Sequence, residues 1–281
     1  MTSTERRGTF LRLELAEAMR SRWVLLVGVV YALVFGAFVW LGLRESSVLG
    51  FTGMSRIILN VSNAVVIAVP LVALVATSQA VVGARSSGYF ELMLTQPTRR
   101  EDWLVAAVLS RLLVVVGPLA LALLFAVVVA MLGGQVEPTL LPMTLRCLAI
   151  STSLAWAFIG IGFWVSAVSR TAERATVLAL LVWISSAALH DFALIGVLLE
   201  MRVSPVVVFT LAALNPVEAA RIATLTVVDP ELSVLGPVGF WLANKLGHSA
   251  VLLVGIGWPA VVGTFAIHRA KQRMARSDLV G

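Results

Sequence analysis

Six runs of apolar residues, at 23–43, 61–84, 104–132, 146–169, 175–199 and 248–268, are each long enough to cross a bilayer as a helix. A hydrocarbon core about 30 Å thick takes roughly 20 residues of helix. An open sheet is excluded there, because its edge N–H and C=O groups would find no water to bond. The expected fold is therefore an all-α integral membrane protein with six transmembrane helices, in one domain over residues 1–281. Composition agrees: 59% of the residues are hydrophobic and only 13% charged, where soluble domains carry about a quarter. The first run is too long for a signal-peptide core and no small-x-small cleavage site follows it, so it is expected to stay as a signal anchor.

Charge placement sets the orientation. Lys and Arg gather on cytoplasmic loops. With the N-terminus inside, the inner side receives Arg6, Arg7, Arg12, Arg20 and Arg22, then Arg85, Arg99 and Arg100, then Arg170 and Arg174, and finally Arg269, Lys271, Arg273 and Arg276. The outer side receives Arg44, Arg56, Arg202, Arg221 and Lys245, with Arg146 at the outer end of the fourth run. Fourteen against six places both termini in the cytoplasm. Arg111, two turns into the third span, is expected to snorkel to the inner interface. The net charge of +6 thus reports topology. Without a basic stripe interleaved with aromatics, it gives no reason to expect nucleic acid.

Three segments outside the spans carry more information than the spans. Residues 4–22 place Leu11, Leu15, Ala18 and Met19 on one arc at 100° per residue, with most charges opposite and with Phe10 and Leu13 off the pattern. This reads as a helix lying in the inner interface; a frayed basic tail is the alternative. The inner loop between spans two and three carries Tyr89, Phe90, Leu92, Met93 and Leu94 around Glu91, and stops at Pro97 before Arg99 and Arg100. A short helix of that kind must pack on something, the membrane surface or another protein's groove, unless it only extends span two. In the outer loop before span six, Ser204–Leu214 is apolar but too short to span, so it is re-entrant or interfacial. Asn215, Pro216 and Glu218 then fit an N-cap, a proline at N1 and a carboxylate at N3 of a further helix. A second short helix near 239–246 would set Trp241 in the headgroup layer.

The chain carries no fuel-burning or catalytic signature. It has no Gly-x-x-x-x-Gly-Lys-Ser/Thr phosphate loop, no Gly-x-Ser-x-Gly and no His-Glu-x-x-His. Ser186 and His190 share a helix face, but nothing in the sequence orients them for nucleophilic work. Met54, Met93, Met131, Met143 and Met201 are scattered and Cys147 is alone, so no convergent soft-metal site is expected and no disulfide within the chain. Pro70 and Gly117-Pro118 are expected to kink their helices. His190 and Asp191 are the sharpest polar pair in any span. Asp191 lies sixteen residues beyond Ala175, about 24 Å along the helix. Ionisable groups at that depth default to a functional reading, here a conduit or gate with His190, Arg146 or Arg202 as partner. The bland alternative ends span five early and leaves the pair among the outer headgroups.

A basic interfacial helix, six spans, an inner loop of the form Gly-x-x-x-x-Gly-x-x-Glu-Leu-x-Leu-Thr-x-Pro and an outer loop before span six together resemble ABC-2-type transporter permeases. Within them the chain is most similar to the NosY-type permease. The residues behind that closer likeness are Leu49-Gly-Phe-Thr, Leu92-Met-Leu-Thr-Gln-Pro, His190-Asp-Phe-Ala-Leu and Leu214-Asn-Pro-Val-Glu-Ala-Ala-Arg-Ile-Ala-Thr-Leu, followed by Leu235-Gly.

The resemblance implies a membrane subunit, not an enzyme, in a bacterial or archaeal inner membrane. ATP and Mg would sit on a separate NosF-like ATPase dimer and no cofactor on this chain. A second copy of the chain would complete the pathway and a periplasmic NosD-like protein could attach. Gly88, Phe90, Glu91, Leu92, Met93, Pro97, Arg99 and Arg100 would form the coupling helix and its flank, with Phe90, Leu92 and Met93 as apolar anchors in the ATPase. Asn215, Pro216, Glu218 and Arg221 would face the periplasmic partner. The cargo implied is a small sulfur-containing species for the copper–sulfur centre of nitrous oxide reductase; a lipid, peptide or drug exporter is the alternative. Related permeases usually carry acidic residues just before the inner-loop glycine, where this chain has Ala84, Arg85, Ser86 and Ser87.

Overall fold

A computed structural model describes residues 3–20, 27–29, 31–33, 53–95, 99–132, 140–200, 203–228, 232 and 236–276. Every regular element among them is helical. Five helical stretches are long and apolar enough to cross a membrane: Ala64–Ser86, Arg100–Phe125, Leu140–Val168, Ala172–Val197 and His248–Arg276. The pair Pro205–Leu214 and Pro216–Val227, bent by 118°, makes a sixth if it is counted as one span. Of the first apolar run, 27–29 and 31–33 are helical, with Val27 and Tyr31 in the main core. The rest of that run, Leu49-Gly-Phe-Thr, Pro97 and Arg202 lie outside the described residues.

The chain opens with α1 (Ser3–Arg20). Its arc is not purely apolar. Glu14 stands three and four residues from Leu11 and Ala18, so it lies on their face, and it is buried with Ala18. Phe10 also packs on the core, and Leu13 is left exposed. Span two is broken. Helix α2 (Gly53–Thr77) gives way at Ser78 and Gln79 to the short α3 (Ala80–Ser86). The amides freed at that break are taken by another helix: Val81 and Val82 N–H both donate to Ser166 Oγ, at 2.9 and 3.1 Å. Gln79 Nε2 donates to Thr176 Oγ1 at 2.9 Å. A break held this way leaves few orphan backbone groups, the condition for non-helical backbone at membrane depth.

Helix α4 (Tyr89–Leu94) follows, then α5 (Arg100–Leu132), α6 (Leu140–Val168) and α7 (Ala172–Ile184). Pro70 and Pro118 lie inside α2 and α5, which run on past them. A π-turn at Ser185–Leu189 joins α7 to α8 (His190–Glu200). Next come α9 (Pro205–Leu214), α10 (Pro216–Val228), α11 (Gly236–Trp241) with a π-turn at Leu242–Leu246, and α12 (His248–Arg276). The short helix expected at 239–246 is therefore present and starts at Gly236. Trp241 packs against Phe209 with ring centroids 6.3 Å apart.

Helix α6 is the hub, packed on α2, α5, α10 and α12. Small residues let it be so. A β-carbon on Gly160 would strike the Gly263 carbonyl of α12, and one on Gly162 would strike Thr77 of α2. Ser153 Oγ donates to the Ile256 carbonyl across the same α6–α12 seam. Without a hydrophobic force between helices in lipid, close backbone approach and such bonds supply the association.

Candidate functional site

At one end of the bundle, α4 is set off from α3 by Gly88, whose φ of +72° is left-handed, a conformation that costs a residue with a β-carbon. The helix divides its face. Phe90 is fully buried and meets Trp103 of α5 edge-on, with centroids 4.9 Å apart at 85°. Met93 is buried as well. Glu91 and Leu92 point outwards, Leu92 with 65% of its surface exposed. Two of the three expected anchors, Phe90 and Met93, thus hold α4 to its own chain and are not free for a partner. Leu92 and Glu91 are.

Trp103 ties this helix to α1. Its Nε1 donates to Glu14 Oε1 at 2.8 Å, and Arg111 Nη2 lies 3.9 Å from Glu14 Oε2. Burial pushes the Glu14 carboxyl above the usual carboxylate range, while the Arg111 charge and the Trp103 bond pull it back. Arg111, expected to snorkel to the inner interface, reaches towards Glu14 of α1. Arg100 donates from Nη1 to the Met274 carbonyl at 3.0 Å, and Lys271 Nζ lies 3.1 Å from Glu101. These contacts lash the start of α5 to the end of α12, so Arg100 also serves its own chain. Arg99 is exposed.

The second cluster joins span five to the bent pair α9–α10. A π-turn loosens the regular backbone ladder and often marks a functional place in a helix. Here Asn215 Nδ2 donates to the Ser186 carbonyl at 2.6 Å, while Asn215 Oδ1 accepts from Val217 N–H at 3.0 Å. One side chain therefore caps α10 and braces the π-turn. One turn along α10, Arg221 Nη1 donates to Asp191 Oδ2 at 2.8 Å. The same nitrogen lies 2.6 Å from Glu218 Oε1, an ion contact without hydrogen-bond alignment. A single guanidinium thus serves two carboxylates. His190 Nε2 and Asp191 Oδ1 are buried without hydrogen-bond partners among the described residues.

This geometry changes the reading of the outer loop. Asn215 and Glu218 are buried, and α10 packs through Val217, Ala220 and Ala223 into the main core against α2, α6 and α12. A β-carbon on Gly255 of α12 would strike Ala219 and Ala223. The Asn-Pro-Val-Glu segment was expected to face a periplasmic partner; its side chains are spent inside the chain. Pro216 is half-buried at the bend. The partner of Asp191 was sought in His190, Arg146 and Arg202, and it is Arg221. The N-cap reading of Asn215 holds, but Glu218 turns to Arg221 and leaves the cap.

No group of three or more His, Cys, Asp or Glu residues placed to hold a metal occurs among the described residues. What the fold and the two clusters define is a polytopic helical subunit with a half-buried loop helix at one end and a braced, bent helix pair in the bundle. Residues 9–273 match the ABC-2 family transporter proteins, and the chain belongs to that family. Among curated relatives it is 30% identical over 258 residues to the probable ABC transporter permease protein NosY of Stutzerimonas stutzeri, covering 89% of this chain and 92% of that one. It is 29% identical over 270 residues to the protein of the same name from Pseudomonas aeruginosa, covering 89% and 96%.

Proposed function

We propose that this chain is the membrane half of a NosY-type ABC transporter, driven by a separate cytoplasmic ATPase dimer that binds ATP and Mg. The observation that carries the proposal is the divided face of α4. A helix clamped to its bundle by Phe90 and Met93, yet offering Glu91 and Leu92 outwards, can receive a push and pass it on as rigid-body motion. The push would reach α5 through Phe90 and Trp103, α1 through Glu14, and α3 across Gly88. The bundle then rocks between two states biased by nucleotide on the partner.

A second copy of the chain fits the exposure of span five. Only 6% of that span is buried within one chain, against 28–67% of the other four. An apolar helix is content in lipid, but His190 and Asp191 are costly there. A second copy, or a water path between copies, would cover them. With the N-terminus inside, the Arg221 cluster sits in the outer leaflet and serves as the latch that fixes α9–α10 to span five in one of the two states. A periplasmic partner would then engage the outward parts of α9 and α11, where Val206, Val207 and Phe240 are exposed. The cargo or relay is a small sulfur-containing species for maturing nitrous oxide reductase in the inner membrane. Lipid, peptide or drug export is the competing reading.

Affinity purification of the tagged chain from its own membranes, followed by mass spectrometry, separates these. Recovery of a phosphate-loop ATPase together with a periplasmic repeat protein supports the maturation role. An ATPase alone retains the transporter and drops that role. Recovery of neither contradicts the proposal.

A further inference from the structure

Between α1, Val27 and the helices α2 to α5 lies a cavity of about 440 Å³, within the range of roughly 300–1,000 Å³ of small-ligand sites. Its lining is chemically divided. Glu14, Glu17, Tyr89, Trp103 and Arg111 supply a polar region, and Val75 and Val114 belong to an apolar one. Along α5 the lining runs from Trp103 to Val114, about 16 Å at 1.5 Å per residue. That is long enough to take a head and part of a hydrocarbon tail.

The charge of the lining is unusual for its place. Among the described residues of the lining two carboxylates face one guanidinium, a formal charge of −1 (two negative, one positive), in a chain of net charge +6. Arg111 is already beside Glu14, so Glu17 supplies the surplus. The Tyr89 and Trp103 rings stand 6.4 Å apart at 48°. The Tyr89 hydroxyl is held above its usual range by burial and then by the negative charges of Glu14 and Glu17. Aromatic faces beside carboxylates attract ammonium groups, and the same carboxylates repel an anion.

We propose that this cavity binds the cationic head of an amphiphile, the ammonium lying between Glu17 and the half-buried Tyr89 ring and the hydrocarbon along Val75 and Val114. The head is either the amine of a phospholipid from the surrounding leaflet or a free alkylammonium cation. The site does not depend on the cargo or on the ATPase partner. Because it touches α1, α3, α4 and α5 together, its occupant bears on how firmly α4 is seated.

The test is equilibrium binding of tritiated dodecyltrimethylammonium to the purified full chain in phosphatidylglycerol nanodiscs, with empty nanodiscs as background. Saturable binding is expected for the cation and not for dodecyl sulfate. Glu17, an exposed residue, is safe to change: Glu17→Gln should weaken binding about fivefold, as for loss of one exposed charge contact, and Glu17→Arg should abolish it. Gly83→Leu should also abolish it, since Gly83 lines the cavity and a β-carbon there meets open space. Repeating the titration in phosphatidylethanolamine nanodiscs separates the sources. Competition by that lipid assigns the site to a headgroup amine, and no competition assigns it to a free cation. Non-saturable binding, equal binding of dodecyl sulfate, or a site that survives Glu17→Arg or Gly83→Leu overturns the proposal.

Discussion

Helices α4 and α10 are both short, both lie outside the five long membrane-crossing stretches and both carry the sequence motifs that mark the family, yet they dispose of those motifs in opposite ways. Helix α4 buries Phe90 and Met93, three residues apart on one face, and leaves Glu91 and Leu92 outside. Helix α10 turns Asn215, Glu218 and Arg221 inwards, to the π-turn and to Asp191. Two motifs of similar length therefore have different physical warrants: the first offers a surface, the second braces the fold. A polar residue in a motif is not by itself a binding residue. Its hydrogen bonds decide.

Five substitutions, two of them combined in one double-mutant cycle, sharpen or break that contrast. The largest effect belongs to Phe90→Ala, which empties a fully buried aromatic site and should cost about 3–5 kcal/mol. A drop in the thermal midpoint of the detergent-solubilised protein would show it, and an unchanged midpoint would mean that α4 is not clamped to Trp103. Arg221→Ala leaves the Asp191 and Glu218 carboxylates facing each other. Arg221 and Asp191 are about a quarter exposed while Glu218 is buried, so about 2 kcal/mol is expected, below the 3–5 kcal/mol of a fully buried pair. Pairing Arg221→Ala with Asp191→Asn in a double-mutant cycle should reveal a coupling of at least about 1 kcal/mol; strict additivity would remove the latch. Asn215→Ala loses the α10 cap and frees the Ser186 carbonyl, for about 1–2 kcal/mol, read by faster hydrogen exchange around 185–189. Leu92→Ala, at an exposed position, should change stability by less than about 0.5 kcal/mol while lowering partner-dependent ATP hydrolysis several-fold.

Much of the fold was legible in the apolar runs. Five helices long and apolar enough to cross a membrane lie close to the second to sixth apolar runs, because run length and polarity decide that capacity with little help from tertiary contacts. The cap at Asn215 was legible for the same local reason. What escaped was pairing. The break in span two depends on Ser166, eighty-five residues from Val81, and the partner of Asp191 lies thirty residues away in α10. Neither distance leaves a periodic trace. The burial of Phe90 and Met93 escaped because an apolar residue on a loop helix looks the same whether it meets its own chain or another. Glu14 did leave a trace: it falls within the arc of Leu11, Leu15 and Ala18, where an interfacial helix should carry no charge. That charge inside the arc is the one bonded to Trp103.

The most direct test of the coupling role proposed for α4 is site-specific photo-crosslinking in native membranes. Leu92 is replaced by a benzophenone amino acid, and Leu253, exposed on α12, carries the same group as control. A crosslink from position 92 to a nucleotide-hydrolysing protein, with none from position 253, is the predicted result. No such crosslink at 92, in membranes where the chain is folded and abundant, would contradict the central claim that the exposed half of α4 is where an ATPase drives this permease.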